Sequence, residues 1–485
     1  MIFLNVKNTL RSISVSLAII TALCFIVQGC FLFPPIKPID KPDTTIVVTP
    51  LFTPTLMWVN PTSGVVMDVY PDGNILSVGD TKSNLFYTSF SSEFSPEGIL
   101  RGSSTSSDVD AGLIREVIAG ESTYRLTDYS NSGSKNYSSY LGGGANQTYR
   151  RTNPYTRYNT VSGAPDIEPY PWSGYVSVIG PNIAKGPSVP DSSVFPNMTY
   201  KFNYISVWMV GTFTDNFGIS QRSVLPTFGQ ADCFVVRCFK YENPVYLQWG
   251  GLGNDLAYDV ASDDKGNATI FLRAGSDFGI TSATQSLVRM RTGYNIVRLD
   301  TNGLLTETFP VSLEAMGELT DTQIALGKSG TVYILAKDAV RAQYFLAKVS
   351  RSGTVWTHYF PTGVASTWLP GYGREPRMGL TTDSKENAYV TGIFTGAVNL
   401  GDTTLTTASS EAFVAKYSPT NKCEWAVQMG VGMGVTVRLS PDETALYVNG
   451  WASGKIMGTS IPDQSDIRNG VIRPGAFLVK LKIVK

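Results

Sequence analysis

The side chains able to do chemistry are few and widely spaced. His358 is the only histidine among 485 residues, and it stands in an alternating aromatic run, WTHYF at 356–360, that is typical of a strand. We interpret it as a packed strand residue. One histidine and five cysteines cannot build a histidine-rich metal centre, a zinc finger or a two-histidine catalytic device. The G-x-S-x-G pattern of serine hydrolases does not occur either, so neither a catalytic residue nor a cofactor is predicted.

Acidic residues that lead into Gly266 raise the question of calcium. Asp259, Asp263 and Asp264 lie close together in sequence and carry the oxygen ligands that calcium prefers. Their spacing is not that of an EF-hand loop, and aspartates at comparable places in other repeats are typical of turns. We therefore predict no metal, with these three aspartates as the calcium alternative.

A tyrosine-rich segment is the candidate binding surface. Residues 124–175 hold nine tyrosines among Ser, Gly and Asn, a composition that gives large contact area at low entropy cost. The predicted ligand-binding residues are Tyr137, Tyr140, Tyr149, Arg150, Tyr155, Tyr158 and Trp172. The alternative is a divergent sheet in which the tyrosines pack against each other, and the sequence leaves both open.

The N-terminus carries an export signal. Residues 1–29 place Lys7 and Arg11 ahead of an apolar run without acidic residues, which predicts a secretory signal peptide. Residues 27–30, VQGC, resemble a bacterial lipobox, so Cys30 is the predicted site of lipidation. An uncleaved membrane anchor over 13–33 is the alternative. Residues 30–55 are rich in proline and are predicted to form a tether between the lipid and the folded body.

The overall charge argues against nucleic acid as a partner. The chain has 39 Lys plus Arg and 39 Asp plus Glu, whereas a nucleic-acid binder shows a basic stripe and a high pI. Too few cysteines remain after export for a disulfide scaffold.

Short patterns recur along the rest of the chain. An apolar pair followed by a base recurs every 50 to 68 residues, ending at Arg237, Arg298, Lys348, Lys416 and Lys480. A polar turn that leads into a β-branched or aromatic strand begins near 71, 264, 328, 384 and 441. Trp249, Trp356 and Trp425 each follow a base and a turn. Each period therefore holds about four short strands, and no segment shows a convincing helical period.

This organisation predicts an all-β fold, namely a single β-propeller over 56–485. The length allows about seven four-stranded units, and a divergent insertion occupies about 91–200. Trp58 stands alone in the first strand, while the last base, Lys480, lies close to the end of the chain without a following tryptophan. We therefore expect the N-terminal and C-terminal strands to pair and close the ring, which removes two open sheet edges.

The repeats resemble the bacterial SBBP-type β-propeller repeat family. One copy runs from Thr382 through YVTG at 389–392 and FVAKY at 413–417 to Trp425, and another begins with WGG at 249–251. The resemblance covers residues 200–485 and, less fully, 56–90, and it fails over 91–200. It implies an extracytoplasmic repeat protein and adds little chemistry.

The functional expectation is a lipid-anchored cell-envelope protein whose propeller serves as a non-catalytic binding or scaffold module. Its predicted partners are the membrane, through the lipid, and a glycan or an envelope or host protein. Phe31 after the lipidated cysteine favours the outer membrane by the enterobacterial sorting pattern. One alternative is an exported carbohydrate-active enzyme that uses paired carboxylates in the propeller channel. A purely structural surface protein is the other.

Overall fold

The computed structural model describes most of the chain from residue 53 onwards. The described residues are 53–62, 66–69, 72–82, 87–108, 112–119, 122–128, 134–141, 145–152, 177–185, 188–190, 202–204, 207–214, 217–220, 223–225, 227–238, 245–263, 265–281, 287–313, 319–365, 378–462, 464–466, 471–473 and 475–483. The predicted signal peptide (1–29), Cys30 and nearly all of the tether lie outside them. Every regular element within these ranges is a β-strand, which confirms the all-β prediction. Across the same ranges there is no helix long and apolar enough to cross a membrane.

The first strands of the body build two four-stranded sheets. Strand β1 (Thr55–Thr62) begins one residue before the predicted start of the body and joins a later sheet. The first sheet contains β2 (Val66–Val69), β3 (Ile75–Lys82), β4 (Tyr87–Phe94) and β5 (Leu100–Asp108). The second contains β6 (Gly112–Ala119), β7 (Ser122–Asp128), β8 (Ser134–Leu141) and β9 (Ala145–Thr152). Each strand pairs antiparallel with the next, so much of the divergent region 91–200 carries regular sheet.

Three further four-stranded sheets follow. The third contains β10 (Ser177–Lys185), β13 (Val207–Thr214), β16 (Asp232–Cys238) and β17 (Val245–Trp249), with hairpins β11 (Ser188–Pro190) and β12 (Phe202–Tyr204), and β14 (Phe217–Ser220) and β15 (Ser223–Leu225). The fourth contains β18 (Leu256–Ser262), β19 (Ala268–Ala274), β22 (Gly293–Leu299) and β23 (Leu305–Val311), with the hairpin β20 (Phe278–Thr281) and β21 (Leu287–Met290). The fifth contains β24 (Leu319–Leu326), β25 (Val332–Asp338), β26 (Gln343–Ser350) and β27 (Gly353–Tyr359).

The remaining strands form one nine-stranded sheet and a hairpin. The sheet contains β28 (Val364–Ala365), β29 (Gly379–Thr382), β30 (Ala388–Asn399), β31 (Thr404–Tyr417), β32 (Cys423–Leu439), β33 (Ala445–Ile456), β34 (Thr459–Ile461), β37 (Gly475–Lys482) and β1. The hairpin is β35 (Gln464–Asp466) with β36 (Val471–Arg473). The first part of β32 pairs with β31 and its last part with β33, so the sheet consists of two four-stranded meanders that share β32.

The first and last strands of the body pair with each other. Strand β1 runs antiparallel to β37, with Trp58 opposite Lys480. The same pairing places Trp356 opposite Lys348 and Trp425 opposite Lys416. The Arg237 repeat differs, because Trp249 lies opposite Cys233 while Arg237 faces Val245. The base and the tryptophan are 12 positions apart in this repeat, against 8 and 9 in the other two, and the register differs accordingly.

Consecutive sheets pack face to face. The second strands of the fourth and fifth sheets, β19 (ATIFLRA) and β25 (VYILAKD), are buried on both faces, because a neighbouring sheet covers each side. Separate hydrophobic clusters join the third sheet to the fourth, the fourth to the fifth and the fifth to the β29–β32 meander. Two more join the β29–β32 meander to the β32–β1 meander, and that meander to the first sheet through Met67, Ile75, Phe94, Tyr447 and Leu478. The leading strands also touch in the order β2, β6, β10, β18, β24, β29, β32, and β32 touches β2.

Several connections between the main strands contain further short strands. Hairpins β14–β15, β20–β21 and β35–β36 lie within 215–231, 275–293 and 453–474, and β30 and β31 extend past the body of their sheet through 396–410. Short alternating segments in these loops can pair locally, which the repeat pattern does not reveal.

Candidate functional site

The recurrent lysines lie inside the sheets among aromatic rings. Lys348 lies 5.5 Å from the ring centre of Tyr333, and Trp356 packs against the same tyrosine at 5.9 Å. The same trio recurs as Lys416, Tyr389 and Trp425, and as Lys480, Tyr447 and Trp58. These lysines hold three adjacent strands together, which accounts for their recurrence without a ligand.

Glutamates join neighbouring units at the end of the sheets where a short turn connects the first strand of a unit to the second. We call this the short-turn end. Glu386 accepts hydrogen bonds from the Ser329 amide (2.8 Å) and from Lys348 Nζ (2.8 Å), both in the preceding sheet. Glu443 makes the next link by accepting from the Ser384 amide (2.7 Å) and hydroxyl (2.6 Å). Both glutamates have positive φ, 63° and 53°, where the turns of other repeats have glycine, such as Gly330 at 82°. The contacts between units thus compensate for a strained backbone.

The aspartates of the calcium alternative make separate contacts in the structure. Asp263 accepts from the Lys265 and Asn267 amides at 2.9 Å each, as a turn former does. Asp259 is buried, and its carboxylate accepts from the Ile324 amide of the next sheet at 2.7 Å. Asp264 lies outside the described residues. Within the described ranges, no group of three or more His, Cys, Asp or Glu side chains is placed to hold a metal ion.

The tyrosine candidates belong in part to one sheet. Tyr137 and Tyr140 lie in β8, Tyr149 and Arg150 lie in β9, and Tyr137 is the cross-strand partner of Tyr149. Tyr155, Tyr158 and Trp172 lie outside the described residues. The binding role of the segment stays a prediction.

His358 of β27 packs between the fifth sheet and the β29–β32 meander. Its ring lies 5.3 Å from Phe360 and 5.0 Å from Tyr417, and burial lowers the pKa of the imidazole. The Cys423 thiol lies in the same cluster, and Cys423 and Cys233 are both free and buried.

The arrangement that sequence reasoning missed lies between the third and fourth sheets. Three loop segments meet there, at 227–230, 250–255 and 275–277, and we call them the junction loops. The first is tied to the second by the Gln230 amide, which donates to the Gly253 carbonyl (3.3 Å). The second is tied to the third by the Gly253 amide, which donates to the Ser276 hydroxyl (3.1 Å).

Two fully buried aspartates hold these loops from beneath. Asp255 accepts from the Gly251 amide (2.8 Å) with one carboxylate oxygen and from the Gly275 amide (2.9 Å) with the other. Asp232 accepts from the Phe228 amide (2.9 Å) and from the Gln248 side chain (2.7 Å), both with Oδ2. Each aspartate therefore fixes the backbone of at least one junction loop.

The second oxygen of Asp232 differs from the other three. Oδ1 is buried and has no hydrogen-bond donor among the described residues. Gly250 packs directly against it, since a Cβ at that position would lie 2.1 Å from Oδ1. Burial raises the pKa of Asp232, against the hydrogen bonds from Phe228 and Gln248. Burial likewise raises the pKa of Asp255, and the charge of Asp232 adds to that effect.

Each of the first two junction loops presents an exposed apolar side chain. Phe228 is 57% exposed and Leu252 is 83% exposed. The two loops touch, because a Cβ on Gly229 would lie 2.6 Å from the Leu252 carbonyl carbon. On the third loop, Asp277 pairs with Arg289 of β21 at 2.6 Å. The apolar pair thus stands on loops that are fixed by hydrogen bonds.

The sequence held only a partial signal for this site. Gly250, Gly251 and Asp255 lie in the repeat copy that begins with WGG at 249–251, and Asp255 precedes the other aspartates that lead into Gly266. Asp232 is one residue before a buried strand core, and Phe228 is in a loop without a pattern. Their meeting depends on the packing of two sheets, which spacing alone does not encode.

Comparisons with known proteins identify no family. No family model and no curated protein match the chain. Among solved structures, the chain is similar to an intramolecular trans-sialidase from Ruminococcus gnavus at 8% identity and a TM-score of 0.36, covering 89% of this chain and 99% of that one. It is similar to the polysaccharide lyase Uly1 at 10% identity and a TM-score of 0.37, covering 87% and 90%. A luciferin-regenerating enzyme matches at 10% identity and 0.30, covering 89% and 98%. Such low scores assign neither an activity nor a ligand.

Proposed function

We propose that this protein is an exported lipoprotein, anchored at Cys30, whose body is one closed seven-bladed β-propeller that acts as a non-catalytic binding module. The junction loops are its contact surface. The single observation that carries the binding role is the exposed pair Phe228 and Leu252, held on loops whose backbones are fixed by buried carboxylates.

The ring is supported by the order of packing. Five four-stranded sheets and two meanders that share β32 give seven units. Their leading strands touch in a cycle, and a hydrophobic cluster lies between the last unit and the first. The Trp58 strand supplies the outer strand of the last unit, which leaves no unit short of a strand.

The binding role is supported by the way the loops are built. Loops that drift without constraint have no reason to be held by buried acids, whose desolvation is costly. Apolar side chains on rigid supports lose little entropy when they bind, which favours their use in recognition. A glycan or an envelope or host protein is the proposed ligand, and the envelope location rests on the signal peptide and the lipobox.

The absence of catalysis is supported by the state of the carboxylate pair. Three of the four oxygens of Asp232 and Asp255 accept hydrogen bonds from loop donors, and both residues are fully buried. A glycosidase needs two carboxyls that reach the bond to be cleaved. These two carboxyls serve the loops instead.

Binding is tested on the full chain extracted in mild detergent. Arrays of glycans, peptidoglycan fragments and envelope and matrix proteins are probed with the wild type, with F228S/L252S, and with a matched control, I99S/L304S. The control removes two apolar side chains that are 66% and 44% exposed elsewhere. We expect saturable binding that F228S/L252S loses and I99S/L304S keeps. Equal binding by all three proteins would remove the junction loops as the contact surface, and sugar release from any array glycan would contradict the non-catalytic assignment.

The anchor is tested separately by metabolic labelling with palmitate. The wild type is expected to take up label and to fractionate with membranes, while C30S takes up none. Label retained by C30S would refute lipidation at this cysteine.

A further inference from the structure

Asp232 and Asp255, which we call the junction acids, would leave two uncompensated negative charges if both were ionised. Asp232 and Asp255 are each fully buried. The charge of Asp232 adds to the burial that raises the pKa of Asp255, and the charges of both aspartates add to the burial that raises the pKa of the Cys233 thiol. Their hydrogen-bond donors are backbone amides and one carboxamide, all of them uncharged. No cationic side chain among the described residues bonds to either one. Buried carboxylates are ordinarily paired with a cation, neutralised by a proton or bound to a metal.

The geometry at Oδ1 decides among these. The oxygen is buried without a donor and lies against Gly250, where even a methyl group would overlap it at 2.1 Å. A metal ion would need several oxygen ligands around it and the room to hold them. A proton on Oδ1 needs no additional room. It also removes the negative charge from an oxygen that no donor among the described residues stabilises.

We propose that Asp232 is a neutral carboxylic acid in the folded protein, protonated on Oδ1, and that the junction loops are held in their binding conformation by this proton. When the proton leaves to solvent, a second buried charge appears beside Asp255, and the loops that both acids support loosen. The role in ligand binding rests on the proposed function; the protonation itself does not. The groups that face Asp232 are the titratable Asp255 and Cys233 and the neutral Gln248. On the third loop, Asp277 is paired with Arg289 of β21.

The direction of the pH effect follows from linkage. An unfolded aspartate titrates at about 3.9, whereas burial raises the pKa of Asp232 in the folded state. Above pH 3.9 the folded protein therefore holds a proton that the unfolded chain has released. Stability from this group is full below that pH and is lost as the pH rises through the raised pKa. The junction loops are thus expected to be tightest in mild acid.

Asparagine at position 232 mimics the protonated acid. Its carbonyl oxygen can accept from Phe228 and Gln248, and its amide group takes the place of protonated Oδ1. The full chain in detergent is melted from pH 4.5 to 8 as wild type, D232N, and a control, D402N, whose aspartate is exposed and pairs with Lys422. We expect D232N to melt about 1 to 3 °C higher than wild type at pH 8 and within about 1 °C of it at pH 4.5. D402N is expected to follow the wild type throughout.

Two further arms make the outcome decisive. Infrared difference spectra between pH 4.5 and 8 should show the carbonyl band of a protonated carboxyl that titrates in the wild type and is missing in D232N. Melting is repeated with EDTA and with calcium chloride. A D232N protein that melts lower than wild type at pH 8, or a wild type stabilised by calcium and destabilised by EDTA while D232N responds to neither, would overturn the proposal. None of these readouts uses a ligand, so a failure of the array experiment leaves them intact.

Discussion

Carboxylates fix the connections between strands at both ends of the sheets, but in opposite electrostatic settings. At the short-turn end, burial opposes ionisation of Glu386, yet hydrogen bonds from Lys348 and Ser329 outweigh it and lower the pKa to about 2. At the loop end, burial dominates and raises the pKa of Asp232 and Asp255. The surroundings thus favour the charged form of the carboxyl group at the short-turn end and its neutral form at the loop end.

The difference lies in the partners. Glu386 has a lysine and several hydroxyl and amide donors, and its side chain is 15% exposed. The junction acids have only neutral donors and no solvent contact. A charged contact of the first kind holds neighbouring units together over a wide pH range. An arrangement of the second kind is sensitive to pH, and it supports the loops that present Phe228 and Leu252.

The largest effect is expected from E386Q. The substitution leaves Lys348, whose side chain is 8% exposed, without its counter-ion. Removing one partner of a largely buried pair costs about 3 kcal/mol of unfolding free energy. Because the folded pKa is low, this contribution is full above the unfolded value of about 4.3 and is lost as the pH falls through about 2. Urea unfolding at pH 7 and at pH 3 measures it.

The control for E386Q is the double variant E386Q/K348M, which removes both charges. It should recover much of the loss, because an apolar side chain replaces the stranded lysine. A double variant no more stable than E386Q would show that the glutamate acts through its turn contacts, and the charge contrast between the two ends would disappear.

A smaller effect is expected from D255N. Both oxygens of Asp255 accept hydrogen bonds from backbone amides. An asparagine has only one side-chain oxygen, so its NH₂ group must face one of these two backbone amides. A buried donor without an acceptor costs about 2 kcal/mol. The loss should be seen by thermal melting at pH 4.5 as well as at pH 8, unlike any effect of D232N. D255N as stable as the wild type at both values would mean that its two bonds do not hold the loops.

The Gly250 position sharpens the loop end further. G250A inserts a methyl group against the Asp232 carboxyl, which cannot move without giving up its bonds to Phe228 and Gln248. Overpacking of this kind costs about 1.5 kcal/mol. G102A is the matched control, because a Cβ at Gly102 meets nothing within 4 Å. Equal melting temperatures for the two variants would show that the Asp232 carboxyl is free to shift.

Sequence reasoning reached the repeat architecture and stopped at the places where sheets meet. The recurrence of Lys348, Lys416 and Lys480 with their tryptophans correctly predicted that the first strand, which carries Trp58, pairs with the last, which carries Lys480. Within the other two repeats the base and the tryptophan lie on consecutive strands, so a short spacing encodes their contact. Trp249 follows Arg237 at a wider spacing and pairs elsewhere, because the connection between β16 and β17 is longer.

The candidate site was hidden for a physical reason. Asp232 and Asp255 lie 23 positions apart and come together only when the third and fourth sheets pack. Aspartate is a common residue of turns, so its type gave no indication of burial. Glu386 and Glu443 were likewise hidden, because their function depends on a residue of the preceding unit.

The smallest effect is expected from E443Q, and it isolates the lysine at the short-turn end. Glu443 occupies the turn position of Glu386 and accepts from Ser384. Lys416, the counterpart of Lys348, pairs instead with Glu424 at 2.7 Å, so the substitution leaves Lys416 with its carboxylate partner. A glutamine still accepts one of the two serine bonds, and the expected loss is about 1 kcal/mol by urea unfolding. The difference between E386Q and E443Q then measures what the buried lysine adds. Equal losses would place the strength of the contact in the turn itself, and the contrast with the junction acids would reduce to burial alone.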